Sequence, residues 1–441
     1  MSNNVKWIWL AGKCRPGSTE VLTLIEKLGS IEKIYNADYD KYVDSGISER
    51  LAEDLTDKSL NEAYKIVGFC QKSEVGILCY DDTRYPTSLR SLKDPPTVLY
   101  YKGRLPDLNK KLCISIVGTR KMSEYGMRAA YKIAYEVAAS GAVVVSGMAL
   151  GIDGIASSAA VAARGKTVAV LGCGIDILYP KEHSKLKDII SENGAVITEY
   201  PPSTPPYAAN FPVRNRIISG LGQGTVVIDA DIGSGSMITA KKAILQGRDV
   251  YAVPGNIDAQ NTSGANSLIR DGAQAVLCGA DIVKNYLYMY REVLDMQGLH
   301  AAEAHSEFSP EAVRNMGVGM RTRDISTAER EIKIGYRAER KMPAIPKINN
   351  DVKEETEPLS DITNASENPK PKETGDNSSK ILESLSEKQR KIFDELPLDR
   401  AVTVDYLTKT GFALGEVISA LTVLEIKGLA ISLPGALYMR K

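Results

Sequence analysis

The sequence predicts an α/β protein built around a doubly wound, Rossmann-like parallel sheet, with a small helical domain before it and a winged-helix domain after it. Three observations predict this. Between Leu112 and Gly279, runs rich in Val, Ile and Ala alternate with helical stretches and lack polar alternation, the pattern of strands covered by helices on both faces. The loops that follow those runs collect glycine, serine, threonine and arginine. Beyond residue 300 large apolar side chains thin out, and they return only from Ser386.

The elements follow in order. Residues 1–72 carry apolar spacings of three and four closed by glycine, as in Glu20-Val21-Leu22-Thr23-Leu24-Ile25-Glu26-Lys27-Leu28-Gly29, which predicts a small helical bundle. Such modules bind DNA backbones or other proteins; a plain packing domain fits the pattern equally well. Residues 74–103, with Tyr85-Pro86, Asp94-Pro95-Pro96 and Tyr100-Tyr101, read as an extended connector holding one or two strands. Within a central domain at 73–290, strands are predicted at 112–118, 142–147, 167–172, 195–200, 225–230, 249–254 and 275–278. Helices are predicted at 125–140, 155–164 and 237–246. Right-handed crossovers then place the functional loops at the carboxyl ends of the strands. Residues 291–382 read as a flexible linker. Its stretch from 300 to 380, for example Asn349-Asn350-Asp351-Val352-Lys353-Glu354-Glu355, cannot bury enough surface to offset its ordering entropy. In a last domain at 383–441, helices at 387–396, 404–410 and 414–427 precede strands at 429–433 and 436–439, turned at Pro434-Gly435. That order is the winged-helix pattern.

Composition bounds the function. A chain of 441 residues exceeds one ordinary core, and its 43% hydrophobic and 25% charged content is that of a globular protein. Lys+Arg and Asp+Glu are equal at 55 each, so any nucleic-acid site must be a local patch on a neutral body. The opening residues lack a secretion signal and no apolar run is long enough to span a bilayer, which predicts a cytoplasmic protein without membrane attachment. The six cysteines form no C-x-x-C pair and make no zinc spacing with His183, His300 and His305. Buried thiols, no metal and no cofactor are expected.

The candidate site residues lie on the strand-end loops. Gly118-Thr119-Arg120 follows the first strand, where a phosphate could meet free backbone N–H groups, the Thr119 hydroxyl and the Arg120 guanidinium. Ser123 reads as the N-cap of the next helix. Gly147 and Gly151 bracket a second loop, their glycines allowing close backbone approach to a ligand. Asp153 is read as an N-cap, with orientation of a ribose hydroxyl or of Arg120 as the alternative. Phe211, Arg214, Asn215 and Arg216 combine charge, hydrogen bonding and a stacking ring, the elements that hold single-stranded nucleic acid. The competing use of Arg214 and Arg216 is pairing with carboxylates such as Asp229 or Glu199, which would account for one of the two. Ser234, Gly235 and Ser236 open a further helix, where capping alone and anion contact fit equally. Neither a G-x-x-x-x-G-K-[ST] loop nor a G-x-G-x-x-G after the first strand is present, and the loops offer few titratable groups for acid–base chemistry.

In sequence order, these stretches resemble the DNA-processing protein A (DprA/Smf) family: I-V-G-T-R, S-G-M-A-L-G-I-D, Y-P-K-E-H, T-E-Y-P-P, F-P-V-R-N-R-I-I, S-G-S-M-I-T-A and A-V-P-G-N-I with S-G-A-N-S-L-I-R-D-G-A. The likeness runs from about Tyr80 to Ile282. It implies a non-enzymatic single-stranded DNA-binding protein that protects incoming strands and loads RecA recombinase in natural transformation and recombination. Single-strand-binding protein would be a further partner, and the chain a homodimer. The N-terminal bundle would then be of the SAM or helix-hairpin-helix type. Gly118, Thr119 and Arg120 match the family's G-S-R, and Phe211 to Arg216 its F-P-x-R-N-R, so Arg120, Arg214 and Arg216 are expected on phosphates. Departures are Thr119 for Ser, Ser157 where His is frequent, Asp229 for Glu, and a longer linker.

Two other readings compete. The central domain also resembles nucleotide phosphoribohydrolases of the lysine-decarboxylase-like group, but Ile228 stands where their catalytic glutamate would be and Leu221 replaces a phosphate-loop glycine. A protein-interaction adaptor is the third. The helix at 414–427 sets Glu416 and Glu425 against Lys427, poor chemistry for a DNA groove, so the C-terminal domain is expected to contact protein, or DNA only weakly.

Overall fold

The computed structural model describes residues 2–259 and 261–318 and, further on, parts of 385–440. It divides into two compact units, Met1–Met342 and Pro343–Lys441.

The first unit opens with six helices, α1 (Ser2–Lys13), α2 (Glu20–Leu28), α3 (Ile31–Asn36), α4 (Tyr39–Asp44), α5 (Glu49–Thr56) and α6 (Asn61–Lys72). The side chains of Ser30, Asp38 and Ser48 cap α3, α4 and α5 by accepting from backbone N–H groups three residues on. Leu10, Leu24, Ile34 and Leu55 bury the apolar faces. The expected connector is part of the sheet itself. Its strands β1 (Gly76–Cys79) and β2 (Val98–Gly103) pair antiparallel around the short helix α7 (Thr87–Arg90), and β2 pairs antiparallel with β6 (Ala195–Thr198).

The other strands are β3 (Cys113–Gly118), β4 (Val143–Ser146), β5 (Lys166–Val170), β7 (Gly224–Ile228), β8 (Asp249–Ala252) and β9 (Gln274–Ala275). The nine run in the order β1-β2-β6-β5-β4-β3-β7-β8-β9, with every pair from β6 to β9 parallel. All seven strands expected in the central domain are present. Alternation explains why they carry no polar face. Ile114, Ile116, Val144, Val226 and Ile228 point to one core, with α8 (Glu124–Ala139) and α9 (Ile152–Ala162). Cys113, Val117, Val143, Val145 and Val227 point to the other, with α11 (Asn210–Leu221), α12 (Gly235–Leu245) and α13 (Ser263–Arg270). The chain winds from β3 outward through β4, α10 (Ser184–Asn193) and β6 on one side, and from β7 through β8 to β9 on the other. The carboxyl ends of β3 and β7 therefore mark the switch point where such sheets open a crevice.

The expected linker begins too early. After α14 (Gly279–Val283) and α15 (Leu287–Tyr290), helices α16 (Met296–Glu303) and α17 (Pro310–Asn315) bury Leu299, Ala302, Val313 and Val318 within the first unit. The Glu136 carboxylate on α8 anchors this region, accepting from Gly279 N at 2.6 Å and from the Ser306 hydroxyl at 3.0 Å. Few but well-placed apolar side chains suffice because the partner surface is already folded. The rest of the expected linker, 319–382, lies outside the described residues.

In the second unit the helix Glu387–Asp394 starts at a capping box of Ser386 and Gln389. A three-stranded sheet sets β12 (Leu437–Arg440) between β10 (Val402–Thr403) and β11 (Ala430–Leu433). Ile392, Leu396, Leu407, Val417, Leu421 and Leu424 form its core. β10 was not expected from the sequence; most of the helices expected at 404–410 and 414–427, and the turn at Pro434-Gly435, lie outside the described residues.

Candidate nucleic-acid interface

A cleft of about 490 Å³ opens at the carboxyl ends of β3 and β7. It gathers nine of the twelve expected site residues: Gly118, Thr119, Arg120, Phe211, Arg214, Asn215, Ser234, Gly235 and Ser236. Gly147 lines a smaller neighbouring cavity of about 190 Å³, which shares Arg120 and Phe211 with the cleft. Gly151 and Arg216 line neither.

The loop after β3 is closed by its own backbone. Thr119 N donates to Asp229 O at 2.9 Å, Thr119 O accepts from Ile152 N at 3.2 Å, and the Thr119 hydroxyl accepts from Lys121 N at 3.1 Å. Ser123 caps α8, accepting from Gly126 N at 2.9 Å, and both its N–H and hydroxyl donate to Asp229 Oδ2 at 2.6 Å. The Thr119 N–H is thus engaged inside the protein, while its hydroxyl serves as an acceptor and keeps its own O–H to donate. What the loop does present is Arg120: exposed, and among the described residues making no hydrogen bond and no ion pair. Its guanidinium carbon lies 5.7 Å from the centre of the Phe211 ring.

The fold itself requires several of these glycines. A Cβ on Gly118 would stand 2.0 Å from Ile228 O, and one on Gly151 2.3 Å from Thr119 O, where Gly151 also has φ of +83°. These contacts let β3, β7 and the start of α9 close on one another. Gly147 is likewise engaged at both backbone atoms, its N–H on Asp153 Oδ2 at 3.1 Å and its carbonyl on Arg214. Gly235 is the exception, with open space around its missing side chain. Beside it, the Ser234 and Ser236 hydroxyls pair at 2.8 Å instead of capping α12, and Asn215 Nδ2 reaches Gly235 O at 3.3 Å.

The two arginines of α11 part company. Arg214, 3% exposed, sends Nη1 to the carbonyls of Gly147 (2.9 Å) and Val170 and Nε to Asn215 Oδ1 (3.2 Å). It cross-ties the ends of β4 and β5 and stands 5.7 Å from the Phe211 ring centre. Desolvation lowers it to about 10, against the pull of Asp153, so it stays cationic at neutral pH. Arg216, 2% exposed, is locked inside. Its Nη1 and Nη2 meet the Glu199 carboxylate at 3.1 and 2.6 Å, and its Nε lies 3.3 Å from Asp94 Oδ2. The expectation that Arg216 contacts phosphate is corrected: it is a structural ion pair with Glu199, on the face of α11 turned toward Gly17 and Pro95.

Asp153 is no N-cap. That position belongs to Gly151, while Asp153, within the first turn, folds back onto the Gly147 N–H and lines the cleft. Burial pushes its carboxyl up to about 6, although the charge of Arg214, the N–H groups of Ala149 and Gly147, and Arg120 pull the other way. Tyr179, the first residue of the Y-P-K-E-H stretch and not among the expected site residues, lines both cavities and packs on Phe211 with centroids 5.4 Å apart. Gly172 seats the same ring, since a Cβ there would meet it at 2.9 Å. His183 is buried with Nδ1 3.0 Å from Met148 O, and desolvation lowers its pKa. No cluster suited to a metal ion occurs among the described residues, and no helix among them is long and apolar enough to cross a membrane.

Fold and site together define a doubly wound α/β protein whose switch-point cleft is faced by arginine and an aromatic ring. Comparison with known proteins narrows this. Residues 76–287 match the family described as DNA recombination-mediator protein A. DNA processing protein DprA of Bacillus subtilis (strain 168) is 38% identical over 218 residues, 49% of this chain and 73% of that protein. Protein Smf of Synechocystis sp. is 30% identical over 450 residues, covering 100% of both. The X-ray structure of DNA processing protein A from Streptococcus pneumoniae superposes with a TM-score of 0.57 at 33% identity, over 63% of this chain and 97% of that one. The chain belongs to the DprA/Smf family.

Proposed function

We propose that this chain is a DNA-processing protein that binds single-stranded DNA in the switch-point cleft, protects incoming strands and loads RecA recombinase onto them in natural transformation and recombination. The observation that carries the reading is Arg120, an exposed cation with no hydrogen bond or ion pair among the described residues, held beside the Phe211 ring at the mouth of the cleft. A fixed positive fork next to a stacking surface suits a phosphodiester strand with unpaired bases. Arg214, at the floor, holds the walls together through the carbonyls of Gly147 and Val170. Family membership supports the biological setting. On this reading the protein is cytoplasmic, acts as a homodimer without cofactor, and meets single-strand-binding protein on its substrate. The divisions 1–72, 73–318 and 383–441 would correspond to a SAM or helix-hairpin-helix-like module, the DNA-binding sheet with the helices that close on it, and a winged helix that contacts protein.

Fluorescence anisotropy with labelled oligo-dT and with duplex tests this. Sequence-independent binding that favours the single strand is expected; equal or stronger duplex binding would contradict it. RecA loading predicts faster RecA filament formation on strands already coated with single-strand-binding protein. Against the phosphoribohydrolase reading, the position of the catalytic glutamate is taken by Ile228, buried at the end of β7, whose side chain cannot exchange a proton; Asp229 beside it turns Oδ2 to the Ser123 N–H and hydroxyl. Release of ribose 5-phosphate from AMP would overturn that conclusion.

A further inference from the structure

We infer that Asp153 is a counter-charge of the cleft: a carboxylate on its wall that opposes phosphate, so that strand binding draws a proton onto it. The inference rests on the strand-binding reading above and concerns the same cleft.

The geometry is particular. Asp153 is buried yet lines the cleft beside Arg120 and Arg214. Arg214 directs Nη1 to two backbone carbonyls and Nε to Asn215, so arginine and carboxylate attract each other without a direct bond. On the carboxylate itself, one backbone bond comes from Gly147 N at 3.1 Å. The groups that face it are few. Arg214 comes from α11, Arg120 from the loop after β3, and the N–H groups of Gly147 and Ala149 from the loop after β4. Around the next residue, Gly154, stands the buried His183 ring, which a Cβ would meet at 2.7 Å. Cys173 and Tyr200, which act on Arg214, are both pushed up by burial and are neutral at neutral pH. Arg214 and Asp153 therefore cancel as charges, and Arg120 supplies the net positive charge among these groups. One fixed cation matches the single charge of a phosphodiester link. A phosphate brought to Arg120 puts a second anion near Asp153, which favours the protonated carboxyl.

The sign follows from linkage. Binding that raises the pKa of Asp153 takes up a proton, so affinity falls as pH rises, in a window that opens near the free protein's value of about 6. Oligo-dT carries no group that titrates at the lower end of this window. Full-length protein titrated with labelled oligo-dT at low salt should lose about fivefold in affinity between roughly pH 6 and 8, the part of a one-unit rise on binding that falls above the free protein's value. Asp153→Asn keeps the shape and an acceptor for Gly147 N; it should bind at pH 8 as tightly as the wild type does at pH 6, with a flat profile. His183→Gln should keep the wild-type profile. Calorimetry of the unaltered protein in two buffers of different ionisation enthalpy should show net proton uptake, a readout independent of how any variant folds. A flat wild-type profile without proton uptake overturns the inference, as does a profile lost in His183→Gln but kept in Asp153→Asn. Failure to bind oligo-dT at any pH would instead end the strand-binding reading itself.

Discussion

The two faces of α11 put the same residue type to opposite uses. On one, Phe211, Arg214 and Asn215 line the cleft; on the other, Val213 touches the loop at Gly17 and Arg216 closes on Glu199 and Asp94. At about 100° per residue, Phe211, Arg214 and Asn215 fall within roughly one quadrant of the helix, while Arg216 lies about 200° around from Arg214. An arginine two places from another on a helix cannot share its ligand. The comparison teaches that charge in a motif becomes a binding site only where the helix turns it outward and leaves it unpaired.

Ways to break this contrast run from large to small. Arg216→Ala would strand the Glu199 and Asp94 carboxylates in a buried setting and should cost about 3–5 kcal/mol, visible as a large drop in Tm. A Tm near that of the wild type would mean the ion pair is dispensable. Gly118→Ala forces a methyl against Ile228 O and should destabilise by about 1–3 kcal/mol through overpacking; denaturant titration checks it, and an unchanged midpoint would argue that the strand end yields freely. For Arg214→Lys, a single ammonium cannot reproduce the planar fork that spans Gly147 and Val170. Both stability and oligo-dT affinity should decline modestly, and loss of one without the other would separate its two roles. Deleting residues 380–441 should leave oligo-dT affinity within titration error; a large loss would place strand contacts in the second unit.

Much of this was legible in the sequence, for physical reasons. Strands buried on both faces have no polar alternation, so β3 to β7 stand out as continuous apolar runs. The arrival of Arg120, Phe211 and Ser234 in one cleft followed from their places at strand ends. Other features depended on three-dimensional neighbours. Gly118 lines the cleft, and both Gly118 and Gly151 also answer to Ile228 O and Thr119 O, atoms remote in sequence. Asp153 had the position of a cap, but Gly147 N lay closer to hand. Residues 296–315 are too polar to fold alone and gain their order from α8 and α9, which local composition cannot report. The role of Arg216 was within reach: helical periodicity separates it from Arg214, and Glu199 had already been recognised as a partner for one of the pair.

The most direct measurement sets Arg120→Ala beside Arg216→Ala, each followed by thermal unfolding and by oligo-dT anisotropy across a salt series. Replacing the exposed guanidinium should weaken strand binding and lower the salt slope by about 0.7 while Tm stays put, whereas Arg216→Ala should lose Tm first. Unchanged affinity and slope in Arg120→Ala, with Arg216→Ala folded normally but unable to bind, would contradict the account.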